Sequence, residues 1–212
     1  MRGLEVFAGP LPPFDPDTAP DGPVDLFLSW LTEAVEARLP DPHAMTLSTV
    51  DEDGDPWARV LILKNVDADG WQFAAHADSP KGRQLAARPG AALTFYWPAL
   101  GRQVRVRGPV VAEPAERGAA DFLARSASAR AEALVGRQSR HLADPSERER
   151  RVGESLSRVS ADPALVAEAW TLYTLVPVTV EFWQADADRV HTRLRYERTA
   201  EDTRWERHRL WP

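Results

Sequence analysis

The stretch that most constrains the fold lies near the C-terminus. Val180-Glu181-Phe182-Trp183-Gln184 and the run from Arg189 to Tyr196 are rich in β-branched and aromatic residues. Between them sits the small, acidic segment Ala185-Asp186-Ala187-Asp188. Two such runs around a turn predict a β-hairpin. Counted by twos, Arg189, His191, Arg193 and Arg195 fall on one face, while Val190, Thr192, Leu194 and Tyr196 fall on the other. By composition the charged face reads as a solvated outer surface. The alternative is an anion-binding strand, because arginine makes forked contacts to phosphate and carboxylate.

The rest of the chain repeats the same short-strand vocabulary. Strands are predicted over 44–50, 57–64, 71–75, 91–96, 102–111, 170–184, 189–198 and 204–210, with turns at 51–55 and 66–70. Helices fall between them. Asp21-Gly22-Pro23 opens one that ends before Pro40, with Val24, Phe27, Leu28, Leu31 and Val35 at helical spacing. Ser79-Pro80-Lys81 reads as an N-cap, a first-turn proline and a basic residue, for a helix reaching about Arg88. Residues 114–135 are helical in composition with a break near Ser126–Ser128, and Ser146 with Glu149 forms a capping-box pattern for a further helix. Short antiparallel strands with helices set among them predict an α+β chain, mainly β, folded as a closed or partly closed barrel.

Bulk properties exclude several classes. A length of 212 residues with no visible repeat suits one domain over 21–212, preceded by a proline-rich, irregular or disordered arm over 1–20. A net charge of −6 lends no electrostatic support to nucleic-acid binding. No cysteine is present, so there are no disulfides, thiolate metal sites or cysteine nucleophiles. His43, His76, His141 and His208 are scattered without zinc-ligand spacing, and no metal is expected. No apolar run approaches the ~20 residues of a membrane span, and no signal-peptide pattern opens the chain. The expectation is a soluble, cytoplasmic protein. Eight tryptophans suit aromatic packing around a flat ligand or an interface, and suit core filling equally.

The order E-F-W-Q, a turn, R-V-H-T-R-L-R-Y, and a chain end R-L-W-P resembles the C-terminal signature of the pyridoxamine 5′-phosphate oxidase family. The resemblance runs in register from about Asp25 to Pro212. It implies an antiparallel split barrel that binds flavin mononucleotide (FMN) and works as a homodimer. Arg59-Val60-Leu61-Ile62-Leu63-Lys64 resembles the family strand R-I-V-L-L-K that runs along the flavin. The resemblance gives Arg59 to the cofactor phosphate and Lys64 to both flavin and substrate. Arg59 and Lys64 have opposite parity, so a bulge or a ligand wrapping the strand end is needed for both to touch one ligand.

Ser79 and Lys81 match the family's phosphate-binding S-R-K, with Pro80 in place of the arginine, and Ala74 and Ala75 match a cofactor-contacting pair that is usually more polar. Gln103 matches a flavin contact. Gln138, Ser139, Trp183 and Arg193 match residues that reach the flavin from the second subunit. For the substrate, Lys64 and Arg125 match phosphate ligands, and Arg189 and His191 match the residues over the reacting carbon. Two positions depart from the pattern: Asp121 stands where the family has tyrosine, and Ala129 where it has serine. The resemblance implies an FMN-dependent oxidase that converts pyridoxamine or pyridoxine 5′-phosphate to pyridoxal 5′-phosphate with oxygen. Asp121 and Ala129 keep two alternatives open. One is a related FMN oxidase with another substrate, as in phenazine biosynthesis; the other is a non-catalytic FMN- or pyridoxal-phosphate-binding protein.

Overall fold

A computed structural model describes residues 7, 9–198 and 204–212. Residues 1–6 and 8 of the predicted arm lie outside the described residues, as do 199–203. From Phe14 onward the arm is docked. Phe14 packs edge-on against Trp30 at 5.0 Å, a 3₁₀ turn spans Pro16–Thr18, and the Tyr196 hydroxyl donates to Pro20 O at 2.7 Å.

Among the described residues, ten strands and five α-helices follow in chain order. They are α1 (Pro23–Glu36), β1 (Ala44–Val50), β2 (Pro56–Ile62), β3 (Asn65–Asp67), β4 (Gly70–His76), α2 (Pro80–Ala87), β5 (Gly90–Trp97) and β6 (Arg102–Ala112). Then come α3 (Ala115–Leu123), α4 (Ala127–Val135), α5 (Pro145–Ala161), β7 (Trp170–Leu175), β8 (Thr179–Gln184), β9 (Thr192–Glu197) and β10 (Glu206–Arg209). All recorded strand pairs are antiparallel. The main path is β10-β9-β8-β6-β5-β1-β2, and β3, β4 and β7 form a branch that rejoins β6.

The branching happens at one place. β6 pairs with β5 over 102–109, and on its other edge it pairs first with β8 (102–107) and then with β7 (110–112). The switch falls at Gly108, where an added Cβ would lie 1.9 Å from Val176 O. A glycine in a strand marks this kind of close backbone approach. It also explains why the single strand predicted over 170–184 is broken: Val176-Pro177-Val178 carries the chain from one partner edge to the other, with Val176 N donating to Pro109 O and Val178 N to Arg107 O. The opposite end curls in the same way. Leu63 N still bonds His43 O, while Lys64 N bonds Gln72 O. The chain thus passes from β1 to β4 within one residue, and β3, found where a turn was predicted, continues on the new partner. The sheet curls into an antiparallel half-barrel.

α1 lays its apolar stripe across the curl. Phe27 meets Trp71 (5.4 Å) and Phe95 (4.8 Å), and Trp30 meets Phe182 (5.2 Å). The Arg102 guanidinium is buried over the Trp30 ring and satisfied by Glu33 (2.8 Å) and Gln184 (2.9 Å), as a buried cation must be. The α2 cap is as predicted: Ser79 Oγ accepts from Gly82 N, with Pro80 in the first turn. The α5 cap is not. Asp144, rather than Ser146, is the N-cap and takes the Ser146 N–H at 2.9 Å, because Pro145 occupies the first helical position.

Candidate active site

Three groups of predicted residues are assembled by the fold. The first surrounds the N-terminus of α2. Arg59 projects from β2 toward α2, where Nη1 donates to Thr49 Oγ1 (2.6 Å) and Leu47 O (3.3 Å), and Nη2 donates to Gln84 Oε1 (3.2 Å). Ser79 and Lys81 stand at the helix start, with Lys81 Nζ 3.5 Å from Ser79 Oγ. Burial, and then the nearby Arg59 guanidinium, push the Lys81 ammonium below its ordinary pKa. Burial lowers Arg59 likewise. Neither cation has a carboxylate partner among the ion pairs of the described residues. Two cations without carboxylate partners beside a helix N-terminus make a setting that suits an anion. The residues therefore fit an FMN phosphate.

β2 supplies the rest of that fit. It is the edge strand of the main path, so one side of its backbone is unpaired. Val60 (66% exposed) and Ile62 (41%) point outward, while Arg59 and Leu61 point inward. A flat ligand lying along the open edge can touch Val60, Leu61 and Ile62 in succession, through backbone groups and outward side chains. After the partner switch at Leu63–Lys64 the Lys64 side chain turns to Asp121, while Arg59 faces Thr49 and Gln84. Ala74 and Ala75 lie near the end of β4, opposite Leu172 and Thr171 of β7.

The second group is a row across three strands. Gln103, Trp183 and Arg193 are direct cross-strand neighbours on β6, β8 and β9, and exposed Tyr96 continues the row on β5. Gln103 thus stands with Trp183 and Arg193 rather than with Arg59. Arg193 is held by Glu181 through Nε (3.1 Å) and Nη2 (2.9 Å) and donates to Trp211 O (2.7 Å). Glu181, 5% exposed, is also paired with Arg105 (2.6 Å) and Arg195 (3.5 Å). Burial by itself raises its pKa, but hydrogen bonds from Arg193 and Arg105 outweigh that and leave it lowered. Part of the predicted arginine face is therefore tied down in ion pairs with Glu181 and Glu197.

The hairpin end needs a correction. Arg189 and His191 are not in a strand: β9 begins at Thr192, and 185–191 form a loop of left-handed and turn conformations, with Arg189 at φ 64°. Asp186 organises this loop. Its Oδ1 accepts from Asp188 N (2.8 Å), its carbonyl accepts from Arg189 N (3.1 Å), and its own N–H donates to His191 Nδ1 (3.1 Å). The alternation nevertheless holds for His191, whose ring lies 4.8 Å from Trp183. Phe7 adds a third ring, 5.8 Å from Trp183 and 6.2 Å from His191. Arg189 is exposed at the loop tip.

The third group joins α3 to the end of the β2 run. Lys64 Nζ lies 3.0 Å from Asp121 Oδ1, and Trp170 Nε1 donates to Asp121 Oδ2 at 2.9 Å. Arg125 stacks on Trp170, 4.3 Å from the ring centroid, and donates to Ala129 O at 3.2 Å; its Nε is buried without a partner. Burial lowers the Arg125 pKa, and Asp121 opposes that shift. Lys64 and Arg125 are thus together, with Asp121 pointed between them. Gln138 and Ser139 lie in the loop after α4, which starts beside His76: an added Cβ at Gly136 would sit 3.3 Å from His76 Nε2. Ser139 is left-handed (φ 62°), and Gln138 Oε1 is buried with no donor. Gln84, Thr49, Trp170 and Asp186 were missed from sequence. Each works only through a neighbour in space, and none carries a local signal.

Comparison with known proteins gives the family. Residues 31–156 match the family described as pyridoxamine 5′-phosphate oxidase, and residues 170–212 match the pyridoxine 5′-phosphate oxidase C-terminal dimerisation region. A pyridoxine/pyridoxamine 5′-phosphate oxidase of Pseudomonas paraeruginosa is 44% identical over 196 residues, 92% of this chain and 90% of the relative. One from Hyphomonas neptunium is 44% identical over 202 residues, 94% and 90%. The crystal structure of PhzG from Burkholderia lata 383, in complex with tetrahydrophenazine-1-carboxylic acid, superposes with a TM-score of 0.89 at 32% identity, covering 96% of this chain and all of that one. The chain belongs to the pyridoxamine 5′-phosphate oxidase family and is an oxidoreductase of that type, with flavin mononucleotide as its cofactor.

Proposed function

We propose that this chain is a cytoplasmic, homodimeric oxidase of vitamin B6 phosphates, converting pyridoxine or pyridoxamine 5′-phosphate to pyridoxal 5′-phosphate. The observation that carries the reading is the hairpin end, where Asp186 and Trp183 seat His191 beside the Gln103–Trp183–Arg193 row. The bound FMN supplies acceptance of a hydride and delivery of the two electrons to oxygen. In the alcohol case the C4′ carbon loses a hydride and its hydroxyl a proton, and oxygen leaves as hydrogen peroxide. Because His191 Nδ1 accepts the Asp186 N–H, the neutral ring carries its proton on Nε2, where it can donate to a substrate oxygen. Arg189 supplies a second donor, and Lys64 with Arg125 holds the anionic end. Gln138, Ser139, Trp183 and Arg193 complete the partner subunit's flavin site, and the orphan acceptor of Gln138 supports this assignment.

A related oxidase acting on another ring substrate is the second reading. It is favoured by the Lys64–Asp121 ion pair and by the similarity to PhzG, which was crystallised with a ring carboxylate. The experiment is an anaerobic titration of the FMN-loaded protein with pyridoxine 5′-phosphate. Bleaching of the flavin near 450 nm, by roughly two electrons per site, is expected. A flavin that stays oxidised at saturating ligand, yet is bleached by another hydride donor, selects the second reading.

A further inference from the structure

We infer that Asp121 sets the substrate's anion subsite for a singly charged group, a ring carboxylate or a phosphate monoanion, in preference to a phosphate dianion. This rests on the reading of Lys64 and Arg125 as the anion cradle given above. The Asp121 side chain is 14% exposed and fastened at both oxygens, by Lys64 Nζ at 3.0 Å and by Trp170 Nε1 at 2.9 Å. Turning to solvent would break the Lys64 pair and leave the half-buried Trp170 indole N–H without this acceptor, which is the costlier loss. The carboxylate is therefore held within the cradle, and its own low exposure limits screening of its charge.

Charge counting then decides the ligand class. Lys64 and Arg125 contribute two positive charges and Asp121 removes one, leaving one. A phosphate monoester carries about −1.5 to −2 at neutral pH, since its second pKa is near 6. A dianion must either break the Lys64–Asp121 pair or sit beside a carboxylate. A monoanion is balanced by Arg125 with the pair intact. The hydroxyl count points the same way: Ala129 has none, and the nearby Ser126 Oγ is engaged in capping α4 through Ala129 N. Arg125 Nε is buried and has no hydrogen-bond partner.

Benzoate and phenyl phosphate test this, because they share a ring and differ in anion charge. Each is titrated into FMN-loaded protein and read by perturbation of the flavin spectrum. At about pH 8, two units above the second phosphate pKa, the wild-type protein is expected to bind benzoate more tightly. Asp121→Asn keeps the shape and the Trp170 hydrogen bond, and should shift the ratio toward phenyl phosphate by about tenfold or more. Wild-type preference for phenyl phosphate at that pH overturns the inference, as does an unmoved ratio in the variant or no binding of either ligand. If the variant does not hold FMN, the wild type decides by itself: phenyl phosphate must gain on benzoate as pH falls through about 6. Loss of the oxidase reading is seen separately, as absence of anaerobic bleaching by pyridoxine 5′-phosphate in both proteins.

Discussion

Lys81 holds its charge in the field of Arg59. Both are partly buried, both have lowered pKa values, and neither is ion-paired among the described residues. The pair is unfavourable in the empty protein and favourable once a phosphate lies between them. Stability and cofactor affinity therefore oppose each other at this point.

Arg59→Ala should weaken FMN binding by a factor of about 10 to 150, the equivalent of one charge-assisted hydrogen bond of ~1.5–3 kcal/mol. Calorimetric titration of the apoprotein measures it. An unchanged dissociation constant removes Arg59 from the phosphate site.

Lys81→Met should also weaken FMN binding while leaving the apoprotein as stable or more stable. The sign follows from the lowered folded pKa. The cationic form costs folding free energy below that pKa, and the cost disappears as pH rises through it toward the ordinary lysine value. Apoprotein stability should therefore rise over the mildly alkaline range in the wild type and stay flatter in the variant. Thermal melts from pH 7 to about 10 provide the comparison.

Glu181→Gln should destabilise the fold by about 3 kcal/mol, because three arginines lose a nearly buried carboxylate. Here the folded pKa is lowered, so the stabilisation is present above the ordinary glutamate value and is lost as pH falls through the folded one. The variant should show a shallower loss of stability below pH ~4.3, measured by urea unfolding at a series of acid pH values.

Gly108→Ala should cost about 2 kcal/mol or more by overpacking, since its Cβ would meet Val176 O at 1.9 Å. The damage falls where β6 changes partner, so amide exchange should rise in both β7 and β8. Faster exchange in β5 alone would contradict this account of the split.

Mixing an Arg59→Ala chain with an Arg193→Ala chain tests the composite dimer site. If each site takes Arg59 from one protomer and Arg193 from its partner, every mixed dimer has one intact site and one doubly altered site. About half of the mixed sites should then hold FMN with wild-type affinity. Glu181 stays paired with Arg105 and Arg195 in the second variant, so the fold survives the change.

Local chemistry was legible in the chain itself. The cap at Ser79, the first-turn prolines 23 and 80, and the strands β1 and β5 depend on neighbours a few residues away, and each is found where the pattern predicts it, while the alternation of the last hairpin holds from Thr192 to Tyr196. So is the break between α3 and α4. The Arg59, Ser79 and Lys81 cluster was reached through the family resemblance rather than through spacing. Tertiary structure decided the rest, because the deciding contacts join residues far apart in sequence. Whether 170–184 is one strand or two depends on Gly108. Where the run from Arg59 to Lys64 leaves one strand partner for another is decided at Leu63, between His43 and Gln72. Whether Asp121 faces solvent or a substrate depends on Trp170 and Lys64, some fifty residues to either side. Sequence periodicity records which face a side chain takes, and says nothing of which distant charge waits there.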